Sequence, residues 1–205
     1  MYRRLLGLLA LSSLAIAPAN ASAYGRIQPD ATTKATYAAA SSFTTPAAAT
    51  TDFWQIYGSG TKTIKVLRVE AAYTSGNTST SDQFFLIKRS TANSGGTSSV
   101  VTNVPMDAND SAATATVRIY TANPSSLGTS VGNVASGTLI SVVNAGSAYT
   151  VPQSPCGAQV IFDHKLTGEP VVLRGTGQGL TLNFNATIPA SSTPKIAITV
   201  YWTEE

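Results

Sequence analysis

Strict alternation of apolar and polar side chains is the feature that most constrains how this chain folds. From Ile196 to Trp202 every second residue is apolar, and the same pattern recurs in 113–121 and 180–185. A period of two places alternate side chains on opposite faces of a β-strand, whereas one face of a helix collects residues three or four positions apart. The pattern therefore predicts strands that each bury one face.

Turn-forming residues separate the strand-like segments along most of the chain. Only 11% of the residues are charged, which leaves few of the Glu–Lys pairs that support exposed helices. Short strands joined by turns are typical of antiparallel sandwiches. We therefore predict an all-β, jelly-roll-like antiparallel β-sandwich over residues 51–205. Its nine or ten strands would be 52–57, 62–73, 83–89, 100–104, 113–121, 139–143, 159–163, 170–174, 180–185 and 195–203.

Some segments depart from simple alternation. The apolar positions change phase between Val66 and Leu67, which predicts a β-bulge. The run Phe84–Ile87 predicts a strand buried on both faces, covered by a second sheet and also by a loop, an arm or a neighbouring subunit. The Ser- and Gly-rich segment 125–136 predicts a loop, and Gly175–Gly179 predicts a hairpin loop between two strands.

The N-terminus has the form of a secretory signal peptide. Arg3 and Arg4 precede an apolar run from Leu5 to Ala17, and small-residue cleavage motifs end at Ala21 and Ala23. The run is too short to span a bilayer comfortably. We predict that residues 1–21 or 1–23 are removed, the alternatives being a start assigned too far upstream and an uncleaved anchor. Export would place the protein in the periplasm, outside the cell or on its surface.

Removal of this leader also changes what the charge implies. Of the 13 Lys and Arg residues, Arg3 and Arg4 would be lost, leaving eleven basic residues against ten acidic ones. A nearly neutral chain without a basic cluster does not favour nucleic acid or an anionic membrane as a partner. The next segment, 24–50, is rich in Ala, Thr and Ser and predicts an extended arm or a marginal edge strand.

Candidate catalytic and metal-binding residues are few. Ser130 stands in a G-x-S-x-G pattern, but a turn precedes it and no helix follows, so a loop is the preferred interpretation. His164 and Cys156 are the single residues of their types, too few for a zinc site, and a lone cysteine forms no intramolecular disulfide. Asp107–Asp110 predicts an Asx-type turn rather than a calcium loop. The sequence predicts no catalytic residues, no cofactor and no metal.

Aromatic residues are numerous for a chain with so few charges, and they define a possible interaction surface. Aromatic side chains in strands pack in cores or in cross-strand pairs, but rings exposed on one face would form a platform for glycans. The residues singled out for this surface are Trp54, Tyr57, Phe84, Phe85, Tyr120 and Tyr201.

Two segments carry a resemblance to a known group of proteins. One runs from Phe85 to Thr97 and continues from Val104 to Val117; the other combines Val160–Asp163, Pro170–Gly175 and the terminal Val200–Glu205. Together they resemble uncharacterised small β-sandwich proteins of tailed-phage and prophage structural gene modules, over roughly residues 50–205. The resemblance implies a structural role in a virion or on a surface, such as decoration of a capsid or tail.

These observations lead to two expectations of function. The first is a non-enzymatic structural or assembly protein of a virion or cell surface, whose partners are copies of itself or a protein lattice. The second is a secreted carbohydrate- or surface-binding module. A virion location would apply if the leader is an artefact of the assigned start.

Overall fold

The computed structural model describes residues 34–47, 51–74, 80–141, 158–184 and 194–205. These residues form twelve strands and one short helix. In chain order the strands are β1 Thr36–Ala40, β2 Asp52–Tyr57, β3 Ile64–Thr74, β4 Thr80–Arg89, β5 Thr97–Val101, β6 Asn103–Pro105, β7 Thr116–Ala122, β8 Ser130–Ser141, β9 Gln159–Asp163, β10 Val171–Leu173, β11 Gly179–Phe184 and β12 Lys195–Glu204. The helix, α1, is His164–Thr167 and lies between β9 and β10.

The strands form two six-stranded sheets that pack face to face. The first sheet has the order β10-β3-β12-β1-β6, and β9 also pairs with β3. The second sheet has the order β5-β7-β2-β11-β4-β8. Every pairing between strands is antiparallel. The predicted all-β antiparallel sandwich is therefore confirmed.

Alternate residues of the strands fill the core between the two sheets. In β12 the burial alternates along the whole strand, and Ile196, Ile198, Val200 and Trp202 are all fully buried. The Trp202 ring stacks on Tyr37 with 5.7 Å between ring centroids. Burying a large apolar side chain contributes about 1.5–3 kcal/mol, so this row is a main source of sandwich stability.

The change of phase in β3 is a β-bulge, as predicted. Val66 lies opposite Trp202 and Arg68 lies opposite Tyr201, so Leu67 has no opposite residue in β12. The extra residue moves the buried positions from Ile64 and Val66 to the odd-numbered positions that follow. The bulge thus lets one strand keep its apolar side chains on the core face across the shift.

Burial on both faces of β4 is confirmed for most of the predicted run. Phe84 and Leu86 face the core, and Ile87 on the opposite face is only 9% exposed. Phe85 is half-buried. A loop of the same chain contacts the end of this strand, since Arg89 donates a hydrogen bond to the Gly128 carbonyl.

Part of the predicted arm belongs to the sandwich. Within segment 24–50, β1 pairs with both β12 and β6 and so lies inside the first sheet. Thr44 adds a further bridge to Ile196. For β1 the interpretation as an arm or an edge strand is wrong, because this strand pairs on both sides. The small side chains of this segment predict weak burial. Ala39 is nevertheless buried, because a small side chain is sufficient to fill its place in the closely packed core.

Two loop predictions need correction. The segment 125–136 contains the first half of β8, which begins at Ser130. The segment 175–179 is not a hairpin loop, because β10 belongs to the first sheet and β11 to the second. It crosses between the sheets and packs against the end of β2, where a Cβ on Gly58 would lie 2.4 Å from the Gly175 carbonyl oxygen.

Two other predictions fall outside the described residues. They are the signal peptide of residues 1–23 and the environment of Cys156. Among the residues that the structure describes, no helix has both the length and the apolar character needed to cross a bilayer.

Candidate functional site

The six aromatic residues of the predicted interaction surface do not form one surface. Trp54 and Phe84 are buried in the core. Tyr201 and Phe85 are half-buried in different sheets. Tyr57 and Tyr120 come together, with their phenol oxygens 2.6 Å apart.

These two tyrosines line a pocket of about 410 Å³, which we call the tyrosine pocket. It lies on the outer face of the second sheet, the face turned away from the core. The strands β2, β5 and β7 form its base, and residues of the loop 90–96 form one rim. Its polar side chains are Tyr57, Asn93, Ser98, Thr114, Thr116, Arg118, Tyr120 and Thr176.

Strand register explains why these side chains share the pocket. Tyr57 lies opposite Thr116, and Gln55 lies opposite Arg118. On the other side of β7, Ser98 lies opposite Tyr120. Opposite residues of an antiparallel pair point to the same face of the sheet. Since Trp54 and Ile56 fill the core, Gln55 and Tyr57, which alternate with them in β2, face outward.

Arg118 carries an uncompensated positive charge in this pocket. Its guanidinium donates to the Ser98 hydroxyl at 3.1 Å. The ion pairs among the described residues involve other basic residues, so Arg118 has no carboxylate partner there. A guanidinium has five N–H donors, so most of its hydrogen-bonding capacity remains available.

The phenol of Tyr57 is neutral at physiological pH. Burial raises its pKa well above the ordinary value, and the hydrogen bond with Tyr120 raises it further. The positive charge of Arg118 acts in the opposite direction but does not outweigh these effects. Tyr57 is therefore suited to donate or accept a hydrogen bond rather than to act as a base.

Gln55 is a second polar group with unused capacity beside the pocket. It is fully buried, and neither its amide nitrogen nor its amide oxygen has a hydrogen-bond partner among the described residues. The side chain lies over Gly179, where a Cβ would come within 2.2 Å of Nε2. Leaving such a group unpaired costs about 1–3 kcal/mol, so the fold leaves polar bonding capacity incomplete beside the pocket.

A buried charged cluster, the Asp52–Arg89 cluster, lies next to the pocket. Arg89 donates to both carboxylate oxygens of Asp52, with distances of 2.5 Å from Nε and 2.6 Å from Nη2. The two side chains are 5% and 0% exposed, respectively. Asn93 and Asn183 donate to the same carboxylate at 2.8 and 2.7 Å. Five donated bonds, counting that from Arg89 to Gly128, satisfy both charges.

The Asp52–Arg89 cluster fastens the pocket rim to the sheet. Asn93, which lines the pocket, also accepts a hydrogen bond from the Gly128 backbone N–H at 2.7 Å. Gly128 packs so closely that a Cβ would lie 1.9 Å from the Thr91 carbonyl oxygen. The loops 90–96 and 123–129 are thus bound to each other and to the strands beneath them.

The other candidate residues lie away from this pocket. Ser130 begins strand β8, so it does not stand in a strand–helix elbow. His164 begins α1, with Nδ1 3.1 Å from the Leu67 carbonyl oxygen. Asp107 accepts a hydrogen bond from the Asn109 backbone N–H at 2.9 Å, which confirms the predicted Asx-type turn. Within the part of the chain that is described, no three His, Cys, Asp or Glu residues are grouped to hold a metal ion.

The chain matches no protein-family model, no curated protein and no solved structure.

Proposed function

We propose that the protein is a non-enzymatic assembly subunit of a virion or cell surface, and that copies join along the edge of strand β8. The proposal is supported by the outer edge of β8, with which no described strand pairs. β8 is twelve residues long and lies at the end of the second sheet. Among the described strands, only β4 pairs with it.

The other sheet edges are much less open to pairing. β5 and β6, at the far end of the sandwich, have five and three residues. β9 and β10 also have five and three residues, and α1 interrupts the edge between them. Short edge strands are one way in which proteins prevent pairing with other chains. β8 lacks this protection.

The composition of β8 also favours pairing. It contains no charged residue and no proline, the residues that commonly protect an edge. Its bulges at Val131 and Val134 affect only the first half, and Ser136–Ser141 pairs regularly with β4. On the outward face Ile140 is 64% exposed. Two copies related by a two-fold axis would align these segments antiparallel without like-charge repulsion.

Size-exclusion chromatography with light scattering tests this proposal. We expect the chain without residues 1–23 to form dimers or larger species. The double substitution Thr138→Lys, Ile140→Lys should shift it to monomer, because the new charges would face each other across the two-fold axis. The control is Val104→Lys, at an exposed position in β6, which should leave the mass unchanged. A wild-type monomer at high concentration, or equal dissociation by the control, contradicts the proposal.

We also propose export through residues 1–23, supported by the basic start, the apolar run and the cleavage motifs. Expression of the complete chain in a bacterial host, followed by N-terminal sequencing, is expected to give a mature protein that begins at Ser22 or Tyr24. Retention of Met1 would contradict removal of the leader and would favour one of the two alternatives, an uncleaved anchor or a start assigned too far upstream.

The tyrosine pocket supports a second candidate function, a carbohydrate- or surface-binding module. Hydroxyl groups, a guanidinium and aromatic rings converge in a cavity of about 410 Å³. This volume is within the ordinary range for small-molecule sites, about 300–1,000 Å³. The two candidate functions are compatible, because the pocket and the β8 edge involve different residues.

A further inference from the structure

We propose that the tyrosine pocket binds a sugar acid, a small hydroxyl-rich ring that bears a carboxylate, with Arg118 recognising the carboxylate. The inference rests on the second candidate function above and is independent of pairing through β8. Three properties of the described residues lead to this ligand class: an unpaired cation, a set of neutral hydroxyl groups, and a firmly held rim.

The cation selects for an anion. The two arginines on this face differ, because Arg89 is neutralised by Asp52 whereas Arg118 has no carboxylate partner among the described residues. The charge of Asp52 is therefore already matched and does not cancel that of Arg118. A half-buried guanidinium with free N–H donors favours a planar anion that accepts two parallel hydrogen bonds, as a carboxylate does.

The hydroxyl groups select for a polar ring rather than an apolar one. In the Tyr57–Tyr120 contact only one phenol can donate to the other, so the second phenol hydrogen remains for a ligand. Ser98 and Thr116 add two hydroxyl groups to the lining, whereas the hydroxyl of Thr114, a third lining residue, donates to Glu204. The Tyr57 phenol is neutral at physiological pH, as an ordinary tyrosine is, and its raised pKa extends this to higher pH, so it does not repel an anion.

Gln55 adds a polar group, unpaired among the described residues, on the same face of the sheet as Arg118. Gln55 occupies the register position beside Arg118, and its buried amide lacks a partner in the described structure. The rim is also held in place, since Asn93 is bound to both Asp52 and Gly128. A site whose rim is already ordered loses little conformational entropy on binding.

Titration calorimetry with two probes tests the inference. The probes are the sodium salt of methyl β-D-glucuronide, called glucuronate below, and methyl β-D-glucoside, which share the ring and its anomeric methyl group and differ in the carboxylate. We expect glucuronate to bind and the glucoside to bind about 10- to 100-fold more weakly, because hydrogen bonds to a charged group are lost. Binding of glucuronate should weaken at high salt, whereas a purely structural role of Arg118 would not produce this dependence.

Arg118→Gln is the matching variant, with Arg174→Gln as its control at an exposed arginine outside the pocket. We expect Arg118→Gln to weaken glucuronate binding by about 10- to 100-fold and to leave the circular dichroism spectrum unchanged, and Arg174→Gln to have no effect. Equal binding of both probes would overturn the sugar-acid inference but leave the second candidate function standing. Failure of both probes to bind would contradict both.

Discussion

Replacing Arg89 with Met will lower the free energy of unfolding by about 3–5 kcal/mol, since removal of one partner leaves the other charge buried and unpaired. Asp52 is fully buried and receives both of its charge-neutralising hydrogen bonds from Arg89. The two asparagines that remain, Asn93 and Asn183, donate to the carboxylate but carry no charge. Urea denaturation followed by fluorescence of the buried Trp54 and Trp202 measures the change.

Arg174→Met is the control for this substitution. Arg174 is exposed, and its replacement should change the free energy of unfolding by no more than about 0.5 kcal/mol. The double variant Asp52→Asn, Arg89→Met should lose less than the sum of the two single changes, because the second substitution removes the unpaired charge. Additive losses, or a loss for Arg89→Met no larger than that of the control, would show that the buried pair does not form.

The same substitution should also weaken the proposed sugar-acid binding. Asn93 lines the tyrosine pocket and is held by Asp52, while Gly128 on the neighbouring loop is held by Arg89. Arg89→Met removes the hydrogen bond that holds Gly128 and leaves Asn93 bound to a carboxylate without its charge partner, so both loops are held less firmly. The polar cluster thus connects the stability of the sandwich with the shape of its candidate binding site.

Local patterns in the sequence predicted the strands that bury one face. In β12 the alternation is continuous, and in β3 the change of phase between Val66 and Leu67 was sufficient to place the bulge. Both features depend only on neighbouring residues, because the requirement to bury apolar surface acts on each strand separately.

Strand β8 shows where this reasoning fails. Only Leu139 of β8 is fully buried, and most of its first half is exposed. An edge strand that contributes so little to the core has no need for alternating apolar residues, so its Ser and Gly content resembles that of a loop. The sequence signal that remains for a strand here is the run of uncharged residues from Ser130 to Ser141.

The candidate site could not be predicted because its residues meet through strand order. Tyr57 and Tyr120 are 63 residues apart in sequence, and Asp52 and Arg89 are 37 apart. Asp52 and Arg89 meet because β11, which is much later in the chain, pairs with both β2 and β4 and so holds these two strands close together in one sheet. Sequence periodicity specifies faces but does not specify which strands become neighbours. In a chain with so few charged residues, the opposite charges of Asp52 and Arg89 at strand ends were a usable signal that these two side chains form a pair.

Glu204, at the end of β12, forms a second buried polar connection. Its side chain is fully buried and accepts hydrogen bonds from the backbone N–H groups of Thr114 and Ala115, at 2.9 and 3.0 Å. The indole N–H of Trp202 and the hydroxyl of Thr114 donate to it at 3.0 and 2.6 Å. Burial raises the pKa of the Glu204 carboxyl, but the hydrogen bonds from Thr114, Trp202 and Ala115 outweigh burial, and the net pKa is lowered.

Replacing Glu204 with Gln will lower the free energy of unfolding at pH 7 by about 2–3 kcal/mol, since the amide places N–H donors against existing donors. Because the pKa of Glu204 is lower in the folded state, its contribution is present above the unfolded-state pKa of about 4.3 and is lost as pH falls through the folded-state value. The difference between wild type and variant should therefore shrink below about pH 4. Urea denaturation at pH 7, 5 and 3 measures this difference.

Glu205→Gln is the matched control for Glu204→Gln, because Glu205 is the adjacent acid and pairs with Lys34 and Lys65 at the surface. Its substitution should change stability less at pH 7 than that of Glu204, since surface ion pairs are screened by solvent and salt. A Glu204→Gln variant whose stability follows wild type in parallel from pH 7 to pH 3 would show that the buried carboxylate is not the acceptor. Thr114 also lines the tyrosine pocket and is held by Glu204. If Glu204→Gln weakens glucuronate binding as well as lowering the free energy of unfolding, then β12 supports the binding face from the opposite sheet.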